Sequence, residues 1–381
     1  MTPNPVLKRG RTVWDQTKMP RSEFAQRLRK LQSMMTDNDL QLLLVYGDIS
    51  DYGDICWVSG YVPKRGWAVV AVPSQGEPVL MCGHGSRELY FTQTITWVED
   101  IRAAESLPSL AQNMRGLIME KVPRRGHVGL AGLRERAPYN VWQTIAAQLD
   151  GYEVSLHTSL VAELRQIKSR YEINSLKDAA NVLSATVDQV QGVLPAGMPE
   201  YELRAILELR AREQGAEDVR LLLATPGTNR RILHPPSYDR LQPGTWLQCY
   251  LAVAKDRYWS DLAICLPVEK GDPVLSELNV KLKQRVQDFS KELRPGVNLG
   301  EITKRLLAEN EKEAPGFNPY GLGCGIGLSI DERPYLRPGA SGVLAAGIVL
   351  SVNLWQGYRE KACLYKTNFI ITDQGCLHIG D

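Results

Sequence analysis

In the first 160 residues, segments with apolar side chains at helical spacing alternate with short continuous apolar runs. Residues 21–35 carry them at the spacing of one helix face, at Phe24, Leu28, Leu31 and Met35. This pattern predicts an amphipathic helix, with Ser22 as its cap. Other apolar runs and periodic segments predict strands at 40–46, 67–72 and 78–81, and helices at 107–121 and 138–149. The alternation indicates an α/β domain, which we place at residues 1–160, with an irregular arm over 1–20.

The remaining residues, 161–381, combine helices and strands in a different order. Periodic segments predict helices over 164–193, 199–214, 276–293 and 299–312. Apolar runs bounded by Gly and Pro predict strands over 219–224, 246–253, 258–266, 348–354 and 368–372. Several of these strands follow each other directly along the chain, which favours an α+β domain with antiparallel pairing.

Composition narrows the functional classes. The chain of 381 residues has 45 Lys and Arg against 43 Asp and Glu, and its net charge of +2 argues against a nucleic-acid-binding or polybasic membrane protein. No apolar run of about 18 residues predicts a membrane span, and the N-terminus lacks the apolar core of a signal peptide. The seven cysteines form no C-x-x-C pair, which favours reduced thiols over disulfides or a zinc ribbon. We therefore expect a cytoplasmic protein that binds neither nucleic acid nor membrane.

Four short motifs stand in order in the second half of the chain. They are Leu-Arg-Gln-Ile-Lys-Ser at 164–169, Ile-Leu-His at 232–234, Tyr-Trp-Ser-Asp at 258–261, and Gly-Leu-Gly-Cys-Gly-Ile-Gly-Leu-Ser-Ile-Asp-Glu at 321–332. Their order and spacing resemble the creatinase/aminopeptidase P/prolidase family. The resemblance implies a creatinase-like N-terminal domain over 1–160 and a catalytic-type domain with the pita-bread fold over 161–381. It also implies a homodimer.

The same resemblance bears on metal binding. Metallopeptidase members hold two divalent metals with two Asp, one His and two Glu, and a bridging water is the nucleophile. The matching positions in this chain are Tyr250, Asp261, Cys324, Asn353 and Lys366. Asp261 is the one retained ligand, and the ammonium of Lys366 carries charge of the sign that a metal would supply. We therefore expect no metal and no other cofactor, with Asp261 and Lys366 as a buried ion pair.

Creatinase is the family's precedent for hydrolysis without metal. The resemblance matches its general base to His234 of the Ile-Leu-His motif. A histidine near its reference pKa exchanges protons at neutral pH. The glutamates that hold the guanidinium of its substrate fall on Ala263 and Lys366, which argues against creatine and favours an anionic or neutral group. The alternative is that His234 is a loop residue without a catalytic role.

Cys324 is the most specific departure from the family pattern, because it replaces a metal-binding His in a glycine-rich loop. A thiolate beside Lys366 or His234 would have a lowered pKa and would serve as a nucleophile. The alternative is a small, inert buried thiol, which is common in proteins.

Asp331 and Glu332 stand where metallopeptidase members often carry a His-Glu pair. One interpretation is that they bind substrate, or that Asp331 orients His234. The other is a solvated cluster in which these carboxylates pair with Arg333.

The remaining substrate-binding candidates are Tyr250, Asn353, Lys64 and Arg65. Tyr250 either donates a hydrogen bond to a developing oxyanion or is simply part of the core, and Asn353 is expected beside it in the pocket. Lys64 or Arg65 falls where creatinase carries an Arg for the substrate carboxylate, so either one binds a carboxylate across a dimer interface or forms a solvated basic turn.

Three functions stay open on this reasoning. The first is a metal-independent hydrolase or lyase of a carbon–nitrogen bond in a small carboxylate-bearing molecule, with His234 as general acid/base. The second is a catalytically dead relative that binds a peptide or metabolite, or serves in assembly. The third is an Xaa-Pro peptidase with an atypical metal site.

Overall fold

The computed structural model describes residues 12–64, 66–188, 190, 194–225, 232–269, 273–316, 320–358 and 361–379. The chain divides into two compact units, Met1–Arg165 and Gln166–Asp381. Most of the predicted arm, residues 1–11, lies outside the described residues. Among the helices of the described residues, none is long and apolar enough to cross a membrane.

The N-terminal unit is a mixed sheet with helices packed on it. Its helices are α1 (Arg21–Asp37), α2 (Gly53–Ser59), α3 (Leu89–Gln93), α4 (Leu107–Lys121), α5 (Leu133–Arg136), α6 (Tyr139–Ala146) and α7 (Leu160–Arg165). Its strands are β1 (Leu42–Asp48), β2 (Trp67–Pro73), β3 (Val79–Cys82), β4 (Asp100–Ala103), β5 (His127–Ala131) and β6 (Glu153–Leu156). In the described part of this unit these strands form one sheet in the order β4-β3-β2-β1-β5-β6.

The central strand β1 explains why this unit is an α/β structure. It pairs antiparallel with β2 and parallel with β5, and its apolar residues are buried because other chain segments cover both faces. Leu42 and Leu44 share one core cluster with Leu110, Met114 and Leu117 of α4. The predicted α/β character of this part of the chain is therefore confirmed.

Helix α1 confirms the first prediction from the apolar spacing. Phe24, Leu28, Leu31 and Met35 are all buried. The predicted cap is wrong, because the helix begins directly after Pro20 and Ser22 lies within its first turn, and no side chain caps this end.

The single helix predicted over 164–193 is wrong. Helix α7 ends at Arg165, and α8 (Arg170–Asp188) begins after a short break. Ser169 accounts for the new start, because its Oγ accepts the Glu172 backbone N–H at 3.3 Å and its own N–H donates to Glu172 Oε2 at 3.1 Å. Such a reciprocal cap satisfies amide groups that a continuous helix would not leave free.

The C-terminal unit is a large antiparallel sheet with helices on one face. After α8 come α9 (Glu200–Glu213), α10 (Pro273–Ser290) and α11 (Leu299–Glu313). The strands are β7 (Asp218–Ala224), β8 (Trp246–Lys255), β9 (Tyr258–Pro267), β10 (Gly323–Gly325), β11 (Glu332–Tyr335), β12 (Val349–Tyr358), β13 (Lys361–Thr372) and β14 (Gly375–Ile379). In the described residues these strands run β11-β10-β12-β13-β9-β8-β7, with β14 paired to β13.

The two faces of this sheet differ in what covers them. Helix α8 packs on β8, and α9 packs on β7. The core cluster they cover contains alternate residues of β8: Leu247, Cys249, Leu251 and Val253. Helices α10 and α11 pack on alternate residues of β12: Leu350, Val352 and Leu354. Because side chains alternate between faces, Tyr250 and Asn353 lie on the opposite face, which the helices leave uncovered.

A buried ion pair between Lys168 and Glu332 connects the start of this unit with β11. Both side chains are almost fully buried, and the Lys168 ammonium contacts Glu332 Oε1. The backbone N–H of Lys168 also donates to the Gly347 carbonyl at 2.8 Å. Removing either charge would leave the other buried and uncompensated.

We predict that Lys168→Met lowers the free energy of unfolding by about 3 to 5 kcal/mol, because Glu332 then keeps a buried charge without its cation. Denaturation with urea, followed by circular dichroism, measures this loss. The matched control is Lys291→Met, which breaks the exposed pair with Asp288 and should leave unfolding unchanged. Equal stability of the two variants would contradict the prediction.

Candidate active site

The register of the antiparallel strands brings one row of predicted site residues together. Tyr250 of β8 pairs with Ala263 of β9, Ala263 pairs with Lys366 of β13, and Lys366 pairs with Asn353 of β12. Opposite residues in an antiparallel ladder project to the same face. These side chains therefore stand next to one another on the uncovered face.

A second row lies two residues along each strand, on the same face. It contains Asp261, Asn368, Ser351 and Cys324, because Asn368 pairs with Ser351 and Ser351 pairs with Cys324. The Asn368 Nδ2 donates to Asp261 Oδ1 at 2.9 Å, which joins β13 to β9 in this row. All five positions that the family resemblance matches to metal ligands thus share one surface.

Asp261 is the centre of a dense polar network. It is 1% exposed, and its Oδ1 accepts from the Ser351 hydroxyl at 2.6 Å as well as from Asn368. Its Oδ2 accepts from the Tyr250 hydroxyl at 3.2 Å and lies 3.5 Å from Nζ of Lys366. The predicted Asp261–Lys366 pair is present, and the carboxylate has hydrogen bonds that compensate its burial.

Lys366 reaches the cavity from the floor of this network. Besides Asp261, its Nζ donates to Asn353 Oδ1 at 3.4 Å. The Asn353 side chain is oriented by donating to the carbonyls of Tyr320 at 3.1 Å and Gly321 at 2.9 Å. An ammonium has three protons. The contacts of Lys366 with Asp261 and Asn353 use two of them, which leaves one proton for a ligand in the cavity.

Cys324 differs from the expected low-pKa nucleophile. Burial raises the pKa of its thiol to about 12, and the nearby Asp331 and Asp261 carboxylates raise it further, against an opposing effect of Lys366. The thiol therefore stays protonated at neutral pH, and its Sγ lies 3.6 Å from the Ile330 carbonyl. The expectation of a lowered pKa at Cys324 is wrong because desolvation outweighs the attraction of a single ammonium.

Tyr250 is also held in its neutral form. Burial and the neighbouring Asp261 carboxylate raise the pKa of Tyr250 well above its usual range. Its hydroxyl therefore acts as a hydrogen-bond donor, and its one proton is donated to Asp261 Oδ2. The predicted role of Tyr250 toward a developing oxyanion stays a prediction.

A cavity of about 1020 Å³ opens over these residues. Its wall contains the predicted residues Tyr250, Cys324, Asp331, Asn353 and Lys366. The charged groups among its described lining residues are mainly cationic: Arg204, Arg220, Arg337 and Lys366, against Glu208 and Asp331. The site therefore presents net positive charge and neutral donors, a combination that suits an anionic ligand.

His234 does not line this cavity. It forms an antiparallel bridge with Leu223, whose side chain belongs to the core under α8 and α9, so the imidazole shares the helix-covered face. Its Nδ1 lies 2.9 Å from the Pro235 carbonyl oxygen and 3.9 Å from Glu200 Oε2. The structure thus separates the predicted general base from the other predicted site residues.

Three further candidates are placed elsewhere or lie outside the description. The Glu332 carboxylate is in the buried pair with Lys168 and is not among the described residues that line the cavity. Because it is buried, it is not part of a solvated cluster, as one interpretation of the sequence held. In the N-terminal unit, Lys64 Nζ lies 2.7 Å from Glu88 Oε2. Arg65 lies outside the described residues.

Sequence reasoning missed Ser351, Asn368 and the arginines of the cavity wall. Ser351 and Asn368 each stand two residues from a predicted site position on the same strand, so strand alternation was a signal that could have identified them. Arg220 gave no such signal; its guanidinium carbon lies 4.7 Å from the centre of the Trp259 ring. That contact depends on the pairing of β7 with β8 and of β8 with β9.

The donor set does not fit two divalent metal ions. Asp261 is the one carboxylate in the network, and its charge is balanced by the Lys366 ammonium. Tyr250 and Cys324 stay protonated, and deprotonated or anionic oxygen ligands are what such ions require. Across the described ranges, no group of three or more His, Cys, Asp and Glu is arranged to hold a metal.

Comparison with known proteins agrees with this architecture. The model of Metallopeptidase family M24 matches residues 174–381, and that of the Creatinase/Prolidase N-terminal domain matches residues 27–167. The crystal structure of the prolidase from Pyrococcus horikoshii OT3 superposes with a TM-score of 0.78 at 17% identity, covering 93% of this chain and 98% of that chain. The expected pita-bread fold with a creatinase-like N-terminal domain is confirmed.

Two relatives illustrate the range of similar sequences. The ectoine hydrolase of Halomonas elongata is 23% identical over 398 residues, which cover 95% of this chain and 96% of that protein. The Xaa-Pro dipeptidase of Pyrococcus horikoshii is 22% identical over 226 residues, which cover 58% of this chain and 64% of that protein. The chain spans 53% to 64% of the length of several relatives that it matches mainly over one part.

We predict that Lys366→Met lowers the free energy of unfolding by about 3 kcal/mol, because Asp261 then keeps a buried charge without its cation. The double variant Asp261→Asn/Lys366→Met should regain most of that loss, since it removes both charges. Urea denaturation of the four proteins in this cycle measures the coupling. The control is Lys281→Met on the exposed face of α10, which should not change stability. Additive effects of the two single substitutions would contradict the pairing.

We also predict that Cys324 resists alkylation by iodoacetamide at pH 7.5 in the folded protein. A thiol whose pKa is raised to about 12 has almost no thiolate at that pH, and the thiolate is the reacting form. Mass spectrometry of the peptide that contains Cys324 measures the modification, with protein unfolded in urea as the positive control. Rapid labelling of the folded chain would show that the thiol is reactive after all.

Proposed function

The chain belongs to metallopeptidase family M24, a family of hydrolases, and we propose that it hydrolyses a carbon–nitrogen bond in a small carboxylate-bearing molecule without a metal ion. The observation that carries this proposal is the buried Asp261–Lys366 pair beneath the cavity. Through this pair the Lys366 ammonium is held at the cavity wall, so a cation of the chain itself faces the cavity. An ammonium next to neutral hydroxyl and amide donors suits a reaction in which negative charge develops on an oxygen or nitrogen.

The charge of the cavity wall supports a carboxylate-bearing substrate. Arg220 and Arg337 are exposed cations of the wall, and an Arg guanidinium binds a carboxylate in a bidentate manner. In this arrangement an arginine of the wall holds the substrate carboxylate, while Lys366 faces the bond that breaks. One relative that aligns with the chain over almost its whole length is named an ectoine hydrolase, so ectoine is the first member of the substrate class to test.

The hydrolytic step requires a base in the cavity, and Asp331 is an exposed carboxylate of the cavity wall that acts on Cys324. Its proximity to Cys324 is reflected in the raised pKa of that thiol. We assign to Asp331 the removal of a proton from water as the water oxygen bonds to the carbon of the carbon–nitrogen bond. Lys366 stabilises the charge that develops, and Asp331 gives the proton to the leaving nitrogen as the carbon–nitrogen bond breaks.

The second candidate function is a binding protein of the same fold without catalysis. It is favoured by the position of His234, since no imidazole is among the described residues that line the cavity. In that case the cationic cavity still binds a small carboxylate, and Lys366 still contributes to affinity. The expected homodimer and the cytoplasmic location stay predictions.

We predict that protein dialysed against EDTA hydrolyses at least one member of a panel of ectoine, N-acyl amino acids and other small amide or amidine carboxylates. Added Mn²⁺ should not increase the rate, because the donor set does not fit the ion. Asp331→Asn and Lys366→Met should each lower kcat/KM by about 100-fold or more, as general bases and oxyanion donors typically contribute this much. Mass spectrometry of the products measures turnover.

Matched variants and substrates separate the alternatives. His234→Ala should retain most activity, since its ring lies on the helix-covered face, and Lys281→Met controls for the loss of a lysine. Absence of turnover over the whole panel, with carboxylate binding in calorimetry that Lys366→Met abolishes, would favour the binding protein. Cleavage of Xaa-Pro dipeptides that depends on Mn²⁺ would overturn the metal-independent mechanism.

A further inference from the structure

A second group of chemically active side chains lies in the N-terminal unit. His127 begins β5, and Ser155 and His157 lie on and just beyond the neighbouring edge strand β6. Nε2 of His127 lies 2.5 Å from Ser155 Oγ, and Nε2 of His157 lies 2.9 Å from the same oxygen. Two imidazole nitrogens therefore converge on one hydroxyl.

The backbone register explains why these side chains meet. His127 pairs with Glu153 and Gly129 pairs with Ser155 in the parallel ladder of β5 and β6. The ladder extends by the hydrogen bond from the His157 N–H to the Leu130 carbonyl at 2.8 Å, so residues 153, 155 and 157 project to the face of His127. Gly129 leaves room there, since a Cβ at this position would lie 3.2 Å from Cδ2 of His157.

The cluster is accessible and its imidazoles are suited to be ligands. His127, Ser155 and His157 are all half-buried, at an edge of the described sheet. Burial lowers the pKa of His157, and the nearby His127 lowers it further. A neutral imidazole has a free lone pair, which is the form that binds transition metals.

We propose that His127 and His157, with the Ser155 hydroxyl, form a binding site for one divalent transition-metal ion. Imidazole nitrogen selects the borderline ions Ni²⁺, Cu²⁺ and Zn²⁺ over Mg²⁺ and Ca²⁺, which prefer carboxylate oxygen. The ring centroids lie 6.4 Å apart, and both Nε2 atoms contact the same oxygen, so the two rings are close enough to share one ion at metal–nitrogen distances of about 2.0 to 2.1 Å after their side chains turn. Water is available for the remaining positions, because the cluster is only half-buried.

This inference is independent of the proposed hydrolase function, because it concerns a different unit of the chain. A transition metal that copurifies with the chain belongs to the imidazole pair of the N-terminal unit and not to the cavity around Asp261.

The test is calorimetric titration of the full, untagged, EDTA-treated chain with NiCl₂ at pH 7.5. We expect one ion per chain, and we expect His127→Ala and His157→Gln each to weaken binding by about tenfold or more, as loss of an imidazole ligand does. His157→Gln keeps an amide that can still hydrogen-bond Ser155, and thermal melting of both variants checks that they fold. Cys324→Ser, a variant of the candidate ligand in the cavity, should bind Ni²⁺ like the unchanged protein.

Electron paramagnetic resonance of the chain with one equivalent of Cu²⁺ gives a second measurement. The spectrum should show hyperfine splitting from two imidazole nitrogens that bind Cu²⁺. Each single His variant should show splitting from only one. Binding that is absent, that is not stoichiometric, or that survives in a His127→Ala/His157→Gln double variant would overturn the proposal. Loss of binding in Cys324→Ser instead would move the metal to the cavity and overturn it equally.

Discussion

The hydrogen-bond register of strands β8, β9, β13 and β12 is the constraint on which the candidate site depends. These strands are far apart in the chain, yet their antiparallel pairing places Tyr250, Lys366 and Asn353 in one row and Asp261 in the adjacent row. Because side chains alternate with a period of two, a shift of one residue in any pair would turn that strand's polar groups toward the helices. The apolar residues under those helices hold the register, so the core positions the site.

Charge compensation is the second determinant of the site. A buried carboxylate is tolerated when cations and hydrogen-bond donors surround it, and Asp261 has Lys366, Ser351, Asn368 and Tyr250 around it. Tyr250, Cys324, Asn353 and Lys366, the other positions that the resemblance matches to metal ligands, share one property. None adds a second buried negative charge, since the thiol and the phenol stay protonated. The result is a buried network in which Lys366 balances the charge of Asp261, beneath a cavity whose wall is mainly cationic.

The sequence predicted most helices and strands, because their apolar periodicity reflects burial on one face. It also identified the chemical groups that share the cavity wall, since these followed from residue positions within a recognised order of motifs. It failed where a side chain's environment depends on distant segments. His234 faces the helices because of its bridge to Leu223, and Glu332 pairs with Lys168 across 164 residues of chain. Local patterns carry no information on such partners.

The amino-acid sequence by itself therefore determined the fold class and the residue types that stand at the candidate site. These properties depend on local periodicity and on residue identity, both of which can be read along the chain. Only the tertiary structure decided which polar groups are buried together, which carboxylate is paired, and that Cys324 remains a thiol. Burial, hydrogen-bond partners and pKa shifts arise from atoms that lie close in space but far apart in sequence.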